Sequence, residues 1–273
     1  MFKSMLTGGW KESVEFQQNV SVTIEVEGWD VDSFTIVLRA IHGKFNQIPK
    51  SRTLEQVAKI ADIADYYQLK EIMSVMLPAW KTALSDGLAH GTYRDLVMSV
   101  WASWFFGADQ EFKNATSSAM TRMSGQVVSL GCPIPAKIIN AMNNAKTNAI
   151  RDVFSSSGKG NYGCCFQCRS IMTGALQLEQ HKNGFLSPQP KSPYPGIHYS
   201  GLVHTVQSFE SPTWYDKKAS IWRSKQRNTA PHQCAHSSFA SIFGNLKYPV
   251  QGLELRNFVV SDTPTLKRKH TDE

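Results

Sequence analysis

Cysteine and histidine residues in the second half of the chain have the side chains and the spacing of metal ligands. Two short segments hold them: Cys164, Cys165, Cys168, His232, Cys234 and His236. A Cys-x-x-Cys turn presents two thiolates on one side of a tight loop, and structural zinc takes four thiolate or imidazole ligands in a tetrahedron. We therefore predict a zinc site with the preferred ligands Cys165, Cys168, Cys234 and His236. Spacing alone leaves open whether Cys164 replaces Cys165 and whether His232 replaces His236.

The alternative interpretation is that these residues are ordinary buried thiols and surface histidines. The two segments lie far apart in the chain, so a shared metal requires a fold that brings them together. Zinc would explain how a region with short predicted helices and many prolines holds together, because metal-binding energy becomes folding energy. A redox role for the Cys-x-x-Cys pair is disfavoured, since no thioredoxin-like strand and helix surround it.

Patterns typical of enzymes are absent or out of context. Gly158, Gly160 and Gly163 match a dinucleotide-binding fingerprint in letters, but residues 155–157 are serines where that site needs a buried strand. The chain has no Gly-x-Ser-x-Gly elbow and no Walker-type phosphate loop. We predict that the protein is not an enzyme and that residues 155–163 form a flexible linker.

The first 84 residues carry the clearest structural signals. Val20, Val22, Ile24 and Val26 alternate with polar residues and predict a strand with one buried face. A helix capped by Asp30 or Asp32 follows. A second helix is predicted from the capping box that begins at Thr53 and ends at Gln56.

The whole chain is predicted to be α+β and mostly helical. Residues 1–84 form the first unit, and residues 85–154 a helical segment whose Trp101, Trp104 and Phe105 are expected in the core. After the linker, residues 164–260 are predicted to form an irregular Cys/His domain, and residues 261–273 a disordered tail.

The first unit resembles a BTB/POZ domain. The resemblance rests on residues 2–13, the alternating strand, the turn Gly28-Trp29-Asp30, the helix over 34–42 and the segment 60–67. It implies a partial BTB/POZ fold and a protein–protein interaction module. In such a role the chain would be a substrate adaptor for a cullin-type ubiquitin ligase or a regulatory scaffold.

The second half resembles the C-terminal extension of a group of fungal BTB/POZ proteins. The matching features are Cys165-x-x-Cys168, Leu186-Ser187-Pro188, Pro193-Tyr194-Pro195-Gly196, Ser211-Pro212-Thr213-Trp214-Tyr215 and Gly252-Leu253-Glu254-Leu255. A complete BTB/POZ domain has a strand pair and a helix before the position of Met1. The resemblance therefore implies an N-terminally truncated domain with weakened self-association, because the family's dimer contacts lie largely in those elements.

Charge and composition bound the remaining functions. The chain is 41% hydrophobic with a net charge of +7, and no apolar run approaches the roughly 20 residues of a membrane span. Its first residues do not fit a secretory signal, so a cytoplasmic or nuclear protein is expected. The positive charge is scattered, which makes nucleic-acid binding the less favoured function. A zinc-stabilised nucleic-acid-binding protein stays the alternative, because aromatic residues interleave with the basic stretch over 217–227.

Overall fold

The computed structural model describes residues 8–19, 21–86, 88, 90–159, 163–215 and 231–258. Over these ranges the chain is mostly helical, as predicted. The α-helices are α1 (Lys11–Asn19), α2 (Val31–Ile41), α3 (Leu54–Tyr66), α4 (Lys70–Ser74), α5 (Leu77–Asp86), α6 (Tyr93–Phe106), α7 (Asp109–Arg122), α8 (Ala136–Lys159), α9 (Phe166–Lys182), α10 (Tyr199–Gln207) and α11 (Ala240–Phe243). Short 3-10 helices cover Phe45–Gln47 and Leu255–Asn257. None of the described helices has the length and apolar character needed to cross a membrane.

The predicted strand is not paired in the described part of the chain. Val22 and Ile24 lie in a stretch without regular secondary structure and are half-buried, whereas Val20 falls outside the described residues. An extended segment becomes a strand only when a neighbouring backbone pairs with it. The one β-bridge among the described residues joins Tyr215 and Pro231. The β component and the BTB/POZ-like fold therefore stay predictions, and the helical component is what the structure shows.

The predicted helix caps are confirmed. The Asp30 side chain accepts a hydrogen bond from the Ser33 backbone N–H at 2.9 Å and so caps α2. At the start of α3, the Thr53 N–H donates to Gln56 Oε1 at 3.2 Å, and the Gln56 N–H donates to Thr53 Oγ1 at 3.3 Å. These bonds satisfy amides that have no partner inside the helix, which fixes where each helix begins.

The core is built around α6. This helix is buried on nearly all sides, and it packs mainly against α3 and α7. Trp101 and Phe105 have no exposed surface, as predicted, whereas Trp104 is only partly buried against the core. The Ser99 hydroxyl donates to the Leu84 carbonyl at the end of α5, so a polar group in this core still has a partner.

The C-terminal region packs against the helical bundle. Leu253 N–H donates to Thr116 Oγ1 at 2.9 Å, and Ser117 Oγ donates to the Val250 carbonyl at 2.6 Å, which places the segment before the last 3-10 helix on α7. Helix α10 contacts both α7 and α8. The predicted linker also differs, because α8 runs through Lys159 and makes residues 155–159 helical. Residues 160–162 and the predicted tail over 261–273 lie outside the described residues.

The pKa of one carboxylate in the bundle predicts how the stability of the fold depends on pH. Burial raises the pKa of Asp62 in α3 from 3.8 to about 6, against the opposing effect of the Trp101 indole. The folded chain therefore holds this proton more tightly than the unfolded chain, and stability rises as pH falls from about 6 towards 3.8. Above that window the ionised carboxylate destabilises the fold.

Asp62→Asn is expected to raise the free energy of unfolding near pH 7 by about 1 kcal/mol, after allowing for solvent screening of the exposed part of the side chain. It should also flatten the pH dependence of stability between about pH 4 and pH 6. Urea unfolding across this range measures both effects. Asp86→Asn, at an exposed position, is the control for the lost negative charge. Equal effects of the two substitutions would contradict the assignment to Asp62.

Candidate metal centre

Four side chains from the two Cys/His segments converge on one point. One ligating atom from each of Cys164, Cys168, His232 and Cys234 lies within 4.8 Å of the other three. The Cys168 and Cys234 sulfurs are 3.8 Å apart, and Cys164 Sγ is 3.5 Å from His232 Nε2. A zinc tetrahedron with Zn–S of about 2.3 Å and Zn–N of about 2.0–2.1 Å has edges of about 3.8 Å between sulfurs and about 3.5–3.6 Å between sulfur and nitrogen. The two contacts therefore match the edges expected for a shared zinc ion.

The first half of the cluster is held by the start of α9. Cys165 is the N-cap residue, and Cys168 lies in the first turn with no exposed surface. Cys164 lies just before the cap and is exposed. The start of a helix carries partial positive charge, which favours a thiolate at this end of α9.

The second half is held by a paired segment and a tight turn. The His232 N–H donates to the Trp214 carbonyl at 2.7 Å, next to the bridge between Tyr215 and Pro231. The His232 ring stacks on the largely buried Trp214, with centroids 4.7 Å apart and 17° between the planes, so the imidazole orientation is fixed. Beyond it, the Ser237 N–H donates to the Cys234 carbonyl at 3.1 Å and closes a turn.

Two of the four preferred ligands lie in the cluster and two lie outside it. Cys168 and Cys234 belong to both sets, whereas Cys164 and His232 occupy the places expected for Cys165 and His236. Cys165 Sγ instead accepts a hydrogen bond from the Cys168 N–H at 3.5 Å, as an N-cap side chain does.

His236 takes part in the site through its backbone. Its carbonyl accepts a hydrogen bond from the Gly163 N–H at 3.3 Å, which joins the two halves of the cluster directly. The turn between Cys234 and Ser237 redirects the chain after Cys234. For this reason the i, i+2 alternation that aligns His232 with Cys234 does not extend to His236.

Without a metal, the three thiols differ in acidity. Desolvation and hydrogen bonds with Cys234 and Cys165 raise the pKa of Cys164 to about 12, and desolvation raises the pKa of Cys168. Desolvation also acts on Cys234, but hydrogen bonds with His232 and with the backbone at His236 outweigh it and lower the pKa of Cys234 to about 6. Zinc displaces the proton of every thiol that it binds, so binding is expected to release protons from Cys164 and Cys168.

Gly163 gives a prediction about the site. Its φ is +81°, and a Cβ there would lie 2.5 Å from Arg169 N and 2.8 Å from Cys168 Sγ. Gly163→Ala is therefore expected to displace a ligand and weaken zinc binding at least tenfold, in addition to about 1–2 kcal/mol of backbone strain. Competition with a chromogenic zinc chelator measures the affinity.

Gly174→Ala is the matched control for this substitution. Gly174 lies inside α9, and a Cβ there would meet nothing within 4 Å. Alanine at this helical position should stabilise the chain by roughly 0.5–1 kcal/mol and leave zinc affinity unchanged. Equal zinc affinities for the two alanine variants would show that the tight space around Gly163 does not matter for the metal.

Known proteins give no indication of the function of this chain. No protein-family model matches the chain, and neither the curated proteins nor the solved structures give a match. The basic segment 217–227, which motivates the alternative function, lies outside the described residues, as does the short basic triplet Lys267-Arg268-Lys269 near the C-terminus. Of the aromatic residues beside the first segment, Trp214 is largely buried and Tyr215 is exposed.

Proposed function

We propose that this chain is a non-enzymatic protein-interaction module whose C-terminal half is stabilised by a structural zinc ion. The proposal of a zinc ion rests on the convergence of Cys164, Cys168, His232 and Cys234. Two contacts among them have the edge lengths of a zinc tetrahedron. Three thiolates and one imidazole are a donor set typical of structural zinc. A reduced compartment, the cytoplasm or the nucleus, keeps such thiols available to a metal.

The donor set also supports a structural role over a catalytic one. Catalytic zinc keeps a position open for water or substrate, whereas four protein ligands close the coordination sphere. In this arrangement the ion links the start of α9 to the segment that contains His232 and Cys234. Its contribution is to folding, because the two segments are distant in sequence and meet at the metal.

The interaction role rests on the resemblance of residues 1–84 to a BTB/POZ domain and on exposed apolar side chains in that unit. Val31 at the start of α2 is 79% exposed, and Trp10 and Val75 are each 64% exposed. Single exposed apolar side chains are common on protein surfaces, so the resemblance carries more of this proposal than the three side chains do. The proposed partner class is a cullin-type ubiquitin-ligase scaffold or a regulatory complex.

The test is recovery of the chain from its native cell through a C-terminal tag, with partners identified by mass spectrometry. Val31→Asp is expected to remove most of the recovered cullin scaffold or other defined partner set. Aspartate is tolerated at the first position of a helix, where it complements the dipole, so the fold should survive. Tyr93→Asp is the matched control, since Tyr93 is the first residue of α6 and is also exposed. Recovery of the chain alone, or equal loss with both variants, would contradict an interface at Val31.

The nucleic-acid alternative has a separate test. A net charge of +7 and the basic segment 217–227 motivate it. Phosphate contacts release counterions, so specific retention on DNA or RNA should weaken steeply as salt rises. Such retention by the purified zinc-loaded chain would favour this alternative over the interaction module.

A further inference from the structure

We infer that Cys164 is an oxidation site through which a hydroperoxide releases the metal from this cluster. The inference rests on the proposed function, since it needs a bound zinc ion. The four ligands differ in their exposure to water. Cys164 is exposed, His232 and Cys234 are half-buried, and Cys168 is fully buried. Of the four ligands, Cys164 is therefore the one whose sulfur a small oxidant in solution reaches first.

The first step uses one thiolate and one peroxide bond. The Cys164 sulfur attacks the outer oxygen of the hydroperoxide, so an S–O bond forms and the O–O bond breaks. The remaining alkoxide or hydroxide leaves and takes a proton from the buffered solvent. The cysteine becomes a sulfenic acid, which is reversible and condenses with a nearby thiol.

Cys234 is the thiol placed to complete the reaction. Its sulfur lies within 4.8 Å of Cys164 Sγ and, unlike that of Cys168, it is not fully buried. Its thiolate attacks the sulfenic sulfur, forming an S–S bond and releasing hydroxide, which a proton from the buffered solvent converts to water. Overall, two thiolates give up two electrons, and one hydroperoxide is reduced to an alcohol, or to water from hydrogen peroxide, with one more water formed.

Cys165 is exposed as well, but it is a poor partner for Cys164. Consecutive Cα atoms are about 3.8 Å apart across a trans peptide, less than the roughly 4.4–6.8 Å that a disulfide spans. Its sulfur is also engaged by the Cys168 N–H. The expected bond therefore joins Cys164 to Cys234, across the two halves of the site.

The metal cannot stay in the oxidised cluster. Disulfide formation removes two of the four donors and leaves Cys168 and His232, which is too few for a structural zinc ion. A thiol reductant restores both thiolates, and zinc can then bind again. The site would thus convert exposure to peroxide into loss of the link between α9 and the His232 segment.

The experiment treats the purified zinc-loaded full chain with hydrogen peroxide. Zinc release is followed with a chromogenic indicator, and cysteine products are mapped by peptide mass spectrometry with a sulfenic-acid trap. We expect the trap to label Cys164 first, one zinc ion to leave as one Cys164–Cys234 disulfide forms, and reductant plus zinc to reverse the change. Zinc retained in excess peroxide, first labelling on another cysteine, or a disulfide that lacks Cys164 would overturn the inference.

Two variants separate the roles of the cysteines. Cys165→Ser should release zinc at the wild-type rate, and slower release would overturn the choice of Cys164. Cys164→His keeps four ligands of the Cys₂His₂ kind that zinc also accepts, and its release should be at least tenfold slower. If Cys164→His does not bind zinc, the order in which the sulfenic-acid trap labels the wild-type cysteines is the deciding result. A wild-type chain that takes up no zinc contradicts the proposed function itself, whereas one that holds zinc through peroxide treatment contradicts only this inference.

Discussion

Cys164→Ser is expected to lower zinc affinity by more than about 100-fold, while Cys165→Ser, whose hydroxyl still caps α9, has a much smaller effect. The two residues are neighbours with the same side chain, and both are exposed. Cys164 Sγ lies in the four-ligand cluster, whereas Cys165 Sγ accepts the Cys168 N–H as the cap of α9. Loss of a group that only orients a ligand already costs about 10–100-fold in metal affinity, so loss of a ligand should cost more. Metal content after gel filtration and chelator competition measure the difference.

The histidines provide an independent pair of variants for the same question. His232→Ala should lower zinc affinity to a similar extent, because Nε2 of His232 lies 3.5 Å from Cys164 Sγ. His236→Ala should have little effect, since His236 contributes its backbone carbonyl through the bond to Gly163. The opposite pattern in both pairs, with Cys165 and His236 essential, would support the ligand set preferred from spacing and contradict the geometry described above.

The sequence could predict which two segments form this site, but not which of the neighbouring cysteines and histidines are the ligands. Cys168 and Cys234 stand out from residue type and spacing alone. The choice between Cys164 and Cys165 depends on which of them becomes the cap of α9, and a shift of one residue at a helix start is within the uncertainty of any boundary prediction. Gly163 was the feature of the sequence that could have indicated the local backbone geometry of the site. A glycine just before adjacent cysteines is compatible with the left-handed backbone and close approach that the site requires.

The sequence predicted those parts of the fold that depend on short-range hydrogen bonds. It did not predict the parts that depend on tertiary contacts. The caps at Asp30 and Thr53 follow from short-range hydrogen bonds, and they are confirmed. The serines at 155–157 are helical although their composition favours a linker. Phe154 packs against Phe185 and Tyr194, and these contacts hold the end of α8 in place. Tertiary packing of this kind routinely overrides local propensity.

Removing zinc is expected to loosen one part of the molecule and spare the rest. Helix α9 buries a narrow stripe, Cys168, Met172 and Leu176, and its first turn is part of the metal cluster. The bundle around α6 has its own extensive apolar core and contains none of the ligands. With a chelator, amide hydrogen exchange should rise at least tenfold in the first turns of α9 and around Cys234, and stay unchanged in α6.

Hydrogen exchange with peptide-level mass spectrometry distinguishes this from the other ways in which a metal can act. A rise that includes α6 would mean that the ion stabilises the whole chain as one cooperative unit. No rise anywhere would mean that packing of Met172 and Leu176 holds α9 without the metal. The Cys165→Ser variant, which keeps all four clustered ligands, should respond to the chelator as the wild type does. A rise in hydrogen exchange confined to the residues near the cluster is the result expected if the ion links two segments that are distant in sequence. That link is the role of structural zinc.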